Sequence, residues 1–395
     1  MNLYDTATGA RRALELRDET SIYVCGITPY DSAHVGHAFT FLTYDLLRRR
    51  LEDRRQRVRL VRNITDVDEP LYAKALELDR HYLDLAQQET VAFQDAMRAL
   101  NLKDPDAEPR PSQHIEEIAD TVRELLDRGY AYELGGDTYF AVDEFPAFGE
   151  LSGYGERLQT NLARSRGGDP DRPGKRHPLD FLLWRSISDP ADPAAWASPV
   201  GHGRPGWHIE CTTLSFAFLG PTICVHGGGT DLIFPHHECE RAQSMALGRD
   251  PFVRQWMHTA PMTLGGEKMS KSVGNMVFVR DLVKESAPAA VRIALMMYHY
   301  RTGGEWRPDL LGRAADLLDG VKHALGRPDG PDPRPYLGAV RAALDDDLDA
   351  PEAIRVLQAM TSSVLAGGSH EGAAAGLAEM LALLGVAPTA EWPGA

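Results

Sequence analysis

Residues 23–41 read YVCGITPYDSAHVGHAFTF and indicate the fold class of this chain of 395 residues. An apolar run rich in β-branched residues leads to Cys25, and a helical pattern of apolar residues follows His37. A second apolar run, RVRLVRNIT at 57–65, comes after that helical pattern. Strand, helix and strand in this order predict a βαβ unit, which opens a parallel sheet of the Rossmann-like, nucleotide-binding type.

The remaining sequence predicts three regions in an α/β fold. Apolar strand patterns resume at 222–226 (TICVH) and 252–258 (FVRQWMH), so residues 1–80 and 200–283 are expected to form one Rossmann-like catalytic domain. Residues 81–199 are expected to form an inserted α/β segment, with a strand at 136–142 and a Pro- and Gly-rich loop at 166–178. Residues 284–395 carry helical patterns and predict a C-terminal helical bundle.

Composition limits the environment and the partners of the protein. Four cysteines in so long a chain do not make a disulfide scaffold, which predicts reduced thiols and a cytoplasmic location. No apolar run approaches the roughly 20 residues needed to cross a bilayer, so no membrane association is expected. The formal net charge is -15, and from Arg307 onward seven Lys and Arg stand against thirteen Asp and Glu. Because RNA binding depends on cations that meet phosphates, tRNA is not expected as a partner.

Two short motifs suit the binding of a polyphosphate. His34 and His37 stand at the predicted start of a helix, where free N–H groups and the helix dipole favour an anion, and imidazoles can donate to the phosphates in the transition state. The segment GGEKMSKSVGN at 265–275 places Lys268 and Lys271 on a flexible loop, where ammonium groups can gather around a leaving pyrophosphate. Each motif alone also fits ordinary structural or surface residues.

The pair of motifs resembles the class I aminoacyl-tRNA synthetases, in which HxGH and KMSKS build the ATP site on a Rossmann-like sheet of the HUP type. The resemblance implies that ATP, bound with Mg2+, is a substrate. An amino acid carboxylate would attack the α-phosphate of ATP, giving an aminoacyl adenylate and pyrophosphate. The resemblance makes His34, His37, Lys268 and Lys271 the expected catalytic residues, with Ser270 among the residues expected to contact ATP.

Donors for a metal ion come from three separated segments of the sequence. These donors are Cys25, Cys211 in GWHIEC, and the start PHHECE, in which His236 and Glu240 are four apart and share a helical face. Two thiolates, an imidazole and a carboxylate are consistent with a tetrahedral zinc site. The spacing is not that of a zinc finger, and buried cysteines are also ordinary core residues. The residues alone therefore leave both readings open.

The segments YVCG, GRPGWHIEC and FPHHE resemble the cysteinyl-tRNA synthetases and the related cysteine ligases of mycothiol biosynthesis, in which zinc beside the adenylate site binds the substrate thiolate. The resemblance implies one Zn2+ per chain, held by Cys25, Cys211 and His236 with Glu240 in the fourth position. Cys239, or no protein group, is the alternative for that position. A hydrophobic pocket separates near-isosteres such as Ser and Cys by only about 1 to 3 kcal/mol, so a metal–sulfur bond would add selectivity.

The same resemblance assigns further residues to the amino acid and the adenylate. Thr28 and Thr65 match positions that contact these substrates, and Trp207 matches an indole that lines the amino-acid pocket. Gly229 and Asp231 follow a predicted strand and fit the ribose-binding position. The expected binding set is completed by Gly26. Asp66 and Asp68 fit either magnesium ligands or caps of the next helix.

The acceptor of the activated cysteine is predicted from two further segments. CGITPYD replaces the CGPTVYD more usual in the synthetases, and RGGDPDRPGK resembles a loop of the mycothiol ligases. We therefore expect an ATP-dependent, AMP-forming ligase that transfers cysteine to the amine of glucosaminyl-inositol as an amide. The expected partners are L-cysteine, ATP and an amino-sugar acceptor. The alternatives are a cysteinyl-tRNA synthetase that lacks an anticodon domain and a paralogous ligase that uses another small-molecule amine. The base for the transfer step is not identified by the sequence.

Overall fold

A computed structural model describes residues 1–269 and 274–386 of the chain. The strands, in chain order, are β1 Asn2–Asp5, β2 Ala10–Ala13, β3 Glu19–Ile27, β4 Arg57–Ile64, β5 Ala131–Leu134, β6 Asp137–Phe140, β7 Phe181–Ser186, β8 Gly203–Pro205, β9 Ile223–Gly229, β10 Val253–Thr259, β11 Met262–Leu264, β12 Glu267–Lys268 and β13 Gly304–Glu305. The helices are α1 Val35–Asp53, α2 Glu69–Glu77, α3 Tyr82–Ala99, α4 Ile115–Asp127, α5 Glu156–Ser165, α6 Trp207–Leu219, α7 Glu238–Ala246, α8 Val279–Glu285, α9 Pro288–Met296, α10 Pro308–Leu325, α11 Arg334–Asp345, α12 Ala350–Ala366 and α13 Ala373–Leu384.

The central sheet consists of four parallel strands in the order β10, β9, β3, β4, which confirms the predicted α/β class. Helix α1 connects β3 to β4, whereas β9 pairs with the other edge of β3, so the strand order reverses beside β3. Ligands bind at such a reversal, outside the carboxyl ends of the strands. Cys25 near the end of β3 and Gly228 near the end of β9 meet there, since a Cβ atom on Gly228 would lie 3.7 Å from that of Cys25.

Helix α1 begins at Val35 and not at Ala38, where its apolar pattern starts. The earlier start follows from His34, which has extended backbone and caps the helix by accepting a hydrogen bond from the Gly36 N–H group at 3.1 Å. Strand β3 is buried along most of its length, as expected of a strand covered on both faces.

The region between β4 and α6 contains the second sheet, which is antiparallel in the order β5, β6, β7, β8. Helix α4 packs beside this sheet, and Ile118, Val122, Phe140 and Trp184 are buried in their common core. The strand expected at 136–142 is the shorter β6, and the described residues contain no helix or strand between Ser165 and Phe181, as predicted for the loop. Strand β8 follows residue 199 but pairs with β7. The boundaries proposed at 80, 199 and 283 stay predictions.

Helices α9 to α13 pack against one another and against α1. Apolar side chains such as Val340, Leu357 and Leu377 are fully buried among them. This region also contributes strand β13, which pairs in parallel with β11, whose other neighbour is β12. Strands β11 to β13 have two or three residues each, and the strands of the β1–β2 hairpin have four. All of them are too short to produce a periodic pattern, and they were not predicted. Across the described ranges, no helix combines the length and apolar character required to cross a membrane.

Candidate active site

Four of the predicted metal donors come together at the carboxyl end of β3. Cys25 lies in β3, Cys211 in α6, His236 just before α7, and Glu240 in α7. One donor atom from each lies within 4.8 Å of the others, and all four residues are buried. Sγ of Cys25 lies 3.5 Å from Oε1 of Glu240, and Nε2 of His236 lies 3.2 Å from the same oxygen. The fold therefore brings together the four side chains that the resemblance implied.

The electrostatics of this cluster fit a cation. Burial is the largest cause that raises the pKa of Cys25, Cys211 and Glu240 and that lowers the pKa of His236, so without a cation the uncharged forms are favoured. Among the described residues, no hydrogen bond satisfies the buried Nε2 of His236. A divalent cation favours thiolates and carboxylates, and a lone pair without a partner is available to it. The donor set thus fits zinc chemically.

A layer of histidines surrounds the four donors. Nε2 of His226 lies 3.0 Å from Oε2 of Glu240, and Nδ1 of His208 lies 2.9 Å from Nδ1 of His236. Nδ1 of His237 lies 2.7 Å from Nε2 of His258. Cys25, His226 and His237 also bring donor atoms within 4.8 Å of one another. Sequence reasoning missed this layer, although His208 precedes Cys211 by three residues on the same helix face.

Cys239, the alternative fourth donor, does not belong to the group of four. It lies instead on the wall of a cavity of about 630 Å³ between the central sheet and the inserted region. Trp207 and Thr28, two predicted substrate contacts, line the same cavity. The Trp207 ring stacks on His236 at a centroid distance of 4.2 Å and an interplanar angle of 25°. Trp207 therefore connects the cavity to the donor cluster.

His34 and His37 lie together at the start of α1, with ring centroids 3.8 Å apart. Since Nδ1 of His34 accepts the cap hydrogen bond, the proton of the neutral ring is on Nε2, which can donate to a ligand. A Cβ atom on Gly36 would lie 2.9 Å from the His34 ring, so glycine is needed for this arrangement.

The backbone that follows the KMSKS motif lies beside the start of α1. Val35 donates to the carbonyl of Val277 at 2.9 Å, and Val279 donates to Ala33 at 3.0 Å. Lys268 is the last residue of β12, whereas Ser270 and Lys271 lie outside the described residues. The backbone at Val277 and Val279, which follows the KMSKS motif in sequence, is thus hydrogen-bonded to the start of α1.

Thr28, Gly26 and Thr65 lie at the carboxyl ends of β3 and β4. Oγ1 of Thr28 donates to Oδ2 of Asp68 at 2.8 Å. The side chain of Asn63 accepts from the Gly26 N–H group and donates to Oγ1 of Thr65, both at 2.9 Å. A Cβ atom on Gly26 would lie 1.6 Å from the Asn63 carbonyl oxygen, so this glycine permits the close approach of the two strands.

The two aspartates of NITDVDEP have different surroundings, and the magnesium role weighed for them stays a prediction. Asp66 accepts hydrogen bonds from the backbone and hydroxyl groups of Ser112 at 3.0 and 2.6 Å. Asp68 occupies the N-cap position of α2, but its side chain makes no capping hydrogen bond. Its carboxylate lies on the cavity wall instead.

Gly229 and Asp231 follow β9, where a ribose-binding carboxylate was expected. Oδ2 of Asp231 accepts a hydrogen bond from Nη2 of Arg166 at 2.9 Å. Arg166 opens the Pro- and Gly-rich loop of the inserted region and lines the cavity. Sequence reasoning did not identify Arg166, since a contact across 65 residues leaves no local signal.

Comparison with known families agrees with this geometry. A family model described as the tRNA synthetases class I (C) catalytic domain matches residues 13–316. The chain belongs to this class I synthetase family. Solved structures of class I synthetases support the fold: methionyl-tRNA synthetase of Mycobacterium tuberculosis in complex with methionyl-adenylate has a TM-score of 0.63 at 17% identity, over 93% of this chain and 88% of that one. Arginyl-tRNA synthetase of Thermus thermophilus has a TM-score of 0.59 at 13% identity, over 96% of this chain and 84% of that one.

Relatives of higher identity in this class I family carry a ligase name. The protein named L-cysteine:1D-myo-inositol 2-amino-2-deoxy-alpha-D-glucopyranoside ligase from Streptosporangium roseum is 44% identical over 389 residues, which cover 98% of this chain and 95% of the relative. The protein of the same name from Thermobifida fusca is 43% identical over 373 residues, which cover 94% of this chain and 90% of the relative. The predicted relationship to synthetase-like cysteine ligases is confirmed.

Proposed function

We propose that this chain is an ATP-dependent ligase that activates L-cysteine as the adenylate and transfers it to the amine of 1D-myo-inositol 2-amino-2-deoxy-alpha-D-glucopyranoside. The product is an amide, and the reaction belongs to mycothiol biosynthesis. The relatives that bear this name and cover nearly the whole chain support the proposal. The observation that carries it is the buried group Cys25, Cys211, His236 and Glu240 beside Trp207, which suits recognition of a thiol substrate.

Zinc in this group would bind the thiolate of the substrate cysteine and so discriminate against serine. Cys25, Cys211, His236 and Glu240 would hold the ion, and the orphaned Nε2 of His236 supports that role. Trp207 would close one side of the amino-acid pocket, since its ring covers His236 and lines the cavity. Thr28 and Thr65 would contact the amino acid or the adenylate at the ends of β3 and β4.

His34 and His37 would donate hydrogen bonds to the phosphates of ATP as the cysteine carboxylate attacks the α-phosphate. The cap hydrogen bond to Gly36 supports this role, because it leaves the proton of neutral His34 on Nε2. Lys268 and Lys271 would stabilise the pyrophosphate that leaves. Gly229 and Asp231 would meet the ribose of ATP, which would bind as its Mg2+ complex.

The proposal is tested with the zinc-loaded enzyme, ATP, Mg2+ and cysteine. Exchange of labelled pyrophosphate into ATP that depends on cysteine reports activation alone. AMP formation with glucosaminyl-inositol, with other amino sugars and with cysteine tRNA then identifies the acceptor. We expect cysteine-dependent exchange, and a cysteinyl amide of glucosaminyl-inositol detected by mass spectrometry.

The other outcomes of this experiment discriminate among the alternatives. Absence of cysteine-dependent exchange would refute the proposal at its first step. Charging of tRNA would assign the chain to the synthetases, a result opposed by the acidic character of the sequence after Arg307. Cysteine-dependent exchange with transfer only to another amine would support activation of cysteine and would show that the acceptor is a different amine.

A further inference from the structure

The cavity between the central sheet and the inserted region has the size and lining of a site for a polar ligand with apolar faces. Its volume is about 630 Å³, which lies within the usual range of small-molecule sites. Aromatic rings form part of the wall, and charged side chains stand between them. The aromatic members are Tyr30, Tyr72, Tyr139, Phe148, Phe181, Trp207 and Phe234. Flat rings beside planar polar groups suit a molecule that alternates C–H faces with hydroxyl groups, as a sugar does.

One carboxylate on this wall has no cationic partner. Asp68 is half-buried, and within the described part of the chain no Lys, Arg or His nitrogen lies at ion-pair distance from it. Its neighbour Glu69 differs, because Arg204 contacts both Glu69 oxygens at 2.9 and 3.0 Å. Among the described residues, the side-chain hydrogen-bond partner of Asp68 is Thr28, whose hydroxyl donates to Oδ2 at 2.8 Å. Asp68, which lies between β4 and α2, therefore offers the cavity a carboxylate that is not paired with a cation among the described residues.

The titratable groups that face Asp68 within the described residues are acids and a phenol, and burial raises the pKa of one of them, Glu210, well above its usual value, so that its carboxyl is uncharged. Thr28 and Tyr30 face it from the segment after β3, Glu69 from α2 and Glu210 from α6. Glu210 is fully buried, and among the described residues its two carboxyl oxygens have no hydrogen-bond partner. The Asp68 carboxylate itself is therefore the group that would attract a cationic ligand.

We infer that this cavity binds the amino-sugar acceptor and that Asp68 accepts a proton from its ammonium group. The inference rests on the proposed function and deepens it by naming the base of the transfer step. Thr28, which is expected to contact the amino acid or the adenylate, is hydrogen-bonded to Asp68, so an amine bound to Asp68 would lie next to the place expected for the reacting carbonyl. Arg166, Asp169 and Lys175 line the same cavity and can bind the sugar hydroxyls.

The transfer step balances with Asp68 as the base. The Asp68 carboxylate takes one proton from R–NH3+, which leaves a neutral amine with a lone pair. That lone pair attacks the carbonyl carbon of the cysteinyl adenylate and forms the C–N bond. The bond between the carbonyl carbon and the phosphate oxygen then breaks, and AMP leaves with the electron pair. The second nitrogen proton passes to the phosphate of AMP, giving the neutral amide.

The ionisation of Asp68 suits this role near neutral pH. Burial raises the pKa of Asp68 to about 6, against the opposing effect of the Thr28 hydrogen bond. A carboxylate with such a pKa is ionised at neutral pH and is a stronger base than an exposed aspartate. The transfer rate should therefore fall as the pH decreases through about 6.

The test compares Asp68→Asn with the wild type in three assays of the zinc-loaded enzyme. In the first, cysteine-dependent pyrophosphate exchange should persist with the wild-type KM for cysteine. In the second, single-turnover transfer from preformed cysteinyl adenylate to glucosaminyl-inositol should fall by about 100-fold or more. In the third, transfer to hydroxylamine should persist, because that nucleophile is uncharged at neutral pH and needs no proton acceptor.

Two further variants control for charge and folding. Glu77→Gln removes the same charge from the exposed end of α2 and should leave all three assays unchanged. Asp68→Glu retains a carboxylate and should restore part of the transfer, and it replaces Asp68→Asn if that variant does not fold. The fall in transfer near pH 6 should be present in Glu77→Gln and absent from the residual activity of Asp68→Asn.

Three results would overturn the inference, and a fourth would overturn the proposed function instead. Wild-type transfer by Asp68→Asn would exclude Asp68 as the base. Equal loss of exchange and transfer, or a raised KM for cysteine, would assign Asp68 to the ammonium of cysteine. If Asp68→Asn lost transfer to hydroxylamine as well as transfer to the amino sugar, Asp68 would be assigned to binding of the adenylate. Absence of cysteine-dependent exchange in the wild type would refute the proposed function whatever Asp68 does.

Discussion

Nδ1 of His208 and Nδ1 of His236 lie 2.9 Å apart, so one ring donates a hydrogen bond and the other accepts it. Burial lowers the pKa of His208 to about 3 and holds that of His236 well below its usual range, which keeps both rings neutral. If His236 donates, its Nε2, which lies 3.2 Å from Oε1 of Glu240, retains a lone pair. This contact would therefore set the tautomer of the proposed zinc ligand.

Replacement of His208 should weaken zinc binding without removing a ligand. In His208→Phe the acceptor for His236 is lost, and we expect zinc affinity to fall by about 10- to 100-fold. His208→Gln keeps an acceptor oxygen and should lose less of the zinc affinity. Competition with a chromophoric chelator measures both variants. Equal affinity in His208→Phe and the wild type would contradict a tautomer-setting role.

Cys211→Ser should lower bound zinc and cysteine activation together. The hydroxyl of serine is a poor replacement for a thiolate ligand, and Cys211 is buried among the other three donors. Metal content by elemental analysis and pyrophosphate exchange measure the two effects. Cys224→Ser is the matched control, because Cys224 is also buried but lies outside the donor group. Undiminished zinc and exchange in Cys211→Ser would remove Cys211 from the site.

Much of the central fold could be predicted because its elements carry strong local patterns. The β3–α1–β4 unit combines two apolar runs with a helical pattern of apolar residues, and a parallel pairing follows from that order. The N-terminal hairpin and the short sheet of β11 to β13 lack such patterns. The pairing of β11 with β13 joins distant segments, such as Thr263 with Glu305, and is decided by tertiary contacts.

The candidate site was predictable where motifs carry unusual residue types, and unpredictable where a common residue acquires its role from its surroundings. Cys25, Cys211 and His236 stand out as metal donors from three segments. Asp68 does not, because an aspartate before a helix is ordinarily a cap. Its raised pKa depends on burial in a cavity formed with the inserted region, and nothing in the local sequence reports that burial.

Lys271→Ala should slow adenylate formation far more than it weakens cysteine binding. This prediction comes from the KMSKS motif, since Lys271 lies outside the described residues. Loss of one cation that stabilises the transition state should cost on the order of 100-fold in the exchange rate. Pre-steady-state exchange measures the chemical step, and equilibrium binding of cysteine measures affinity. An equal loss of rate and affinity would assign Lys271 to ground-state binding.

Arg292 links α9 to three other parts of the chain. It is fully buried, donates to the carbonyl oxygens of Leu384 at 2.8 Å and Leu100 at 3.0 Å, and pairs with the buried carboxylate of Asp45 in α1. Burial opposes the charge of Asp45, but Arg292 and Arg49 outweigh it and lower the pKa of Asp45. The C-terminal helices are thereby attached to α1 through charged groups that are shielded from water.

Arg292→Met should destabilise the protein strongly, because it leaves buried carbonyls without donors and Asp45 with one cation fewer. Breaking a buried pair from one side costs about 3 to 5 kcal/mol, and the remaining contact with Arg49 at 2.8 Å places our expectation at about 3 kcal/mol. Urea denaturation measures the free energy of unfolding. Arg313→Met, which replaces an exposed residue on α10, is the control and should change the free energy of unfolding by less than about 0.5 kcal/mol. A similar small shift for Arg292→Met would show that packing, and not this ion pair, holds the C-terminal helices on α1.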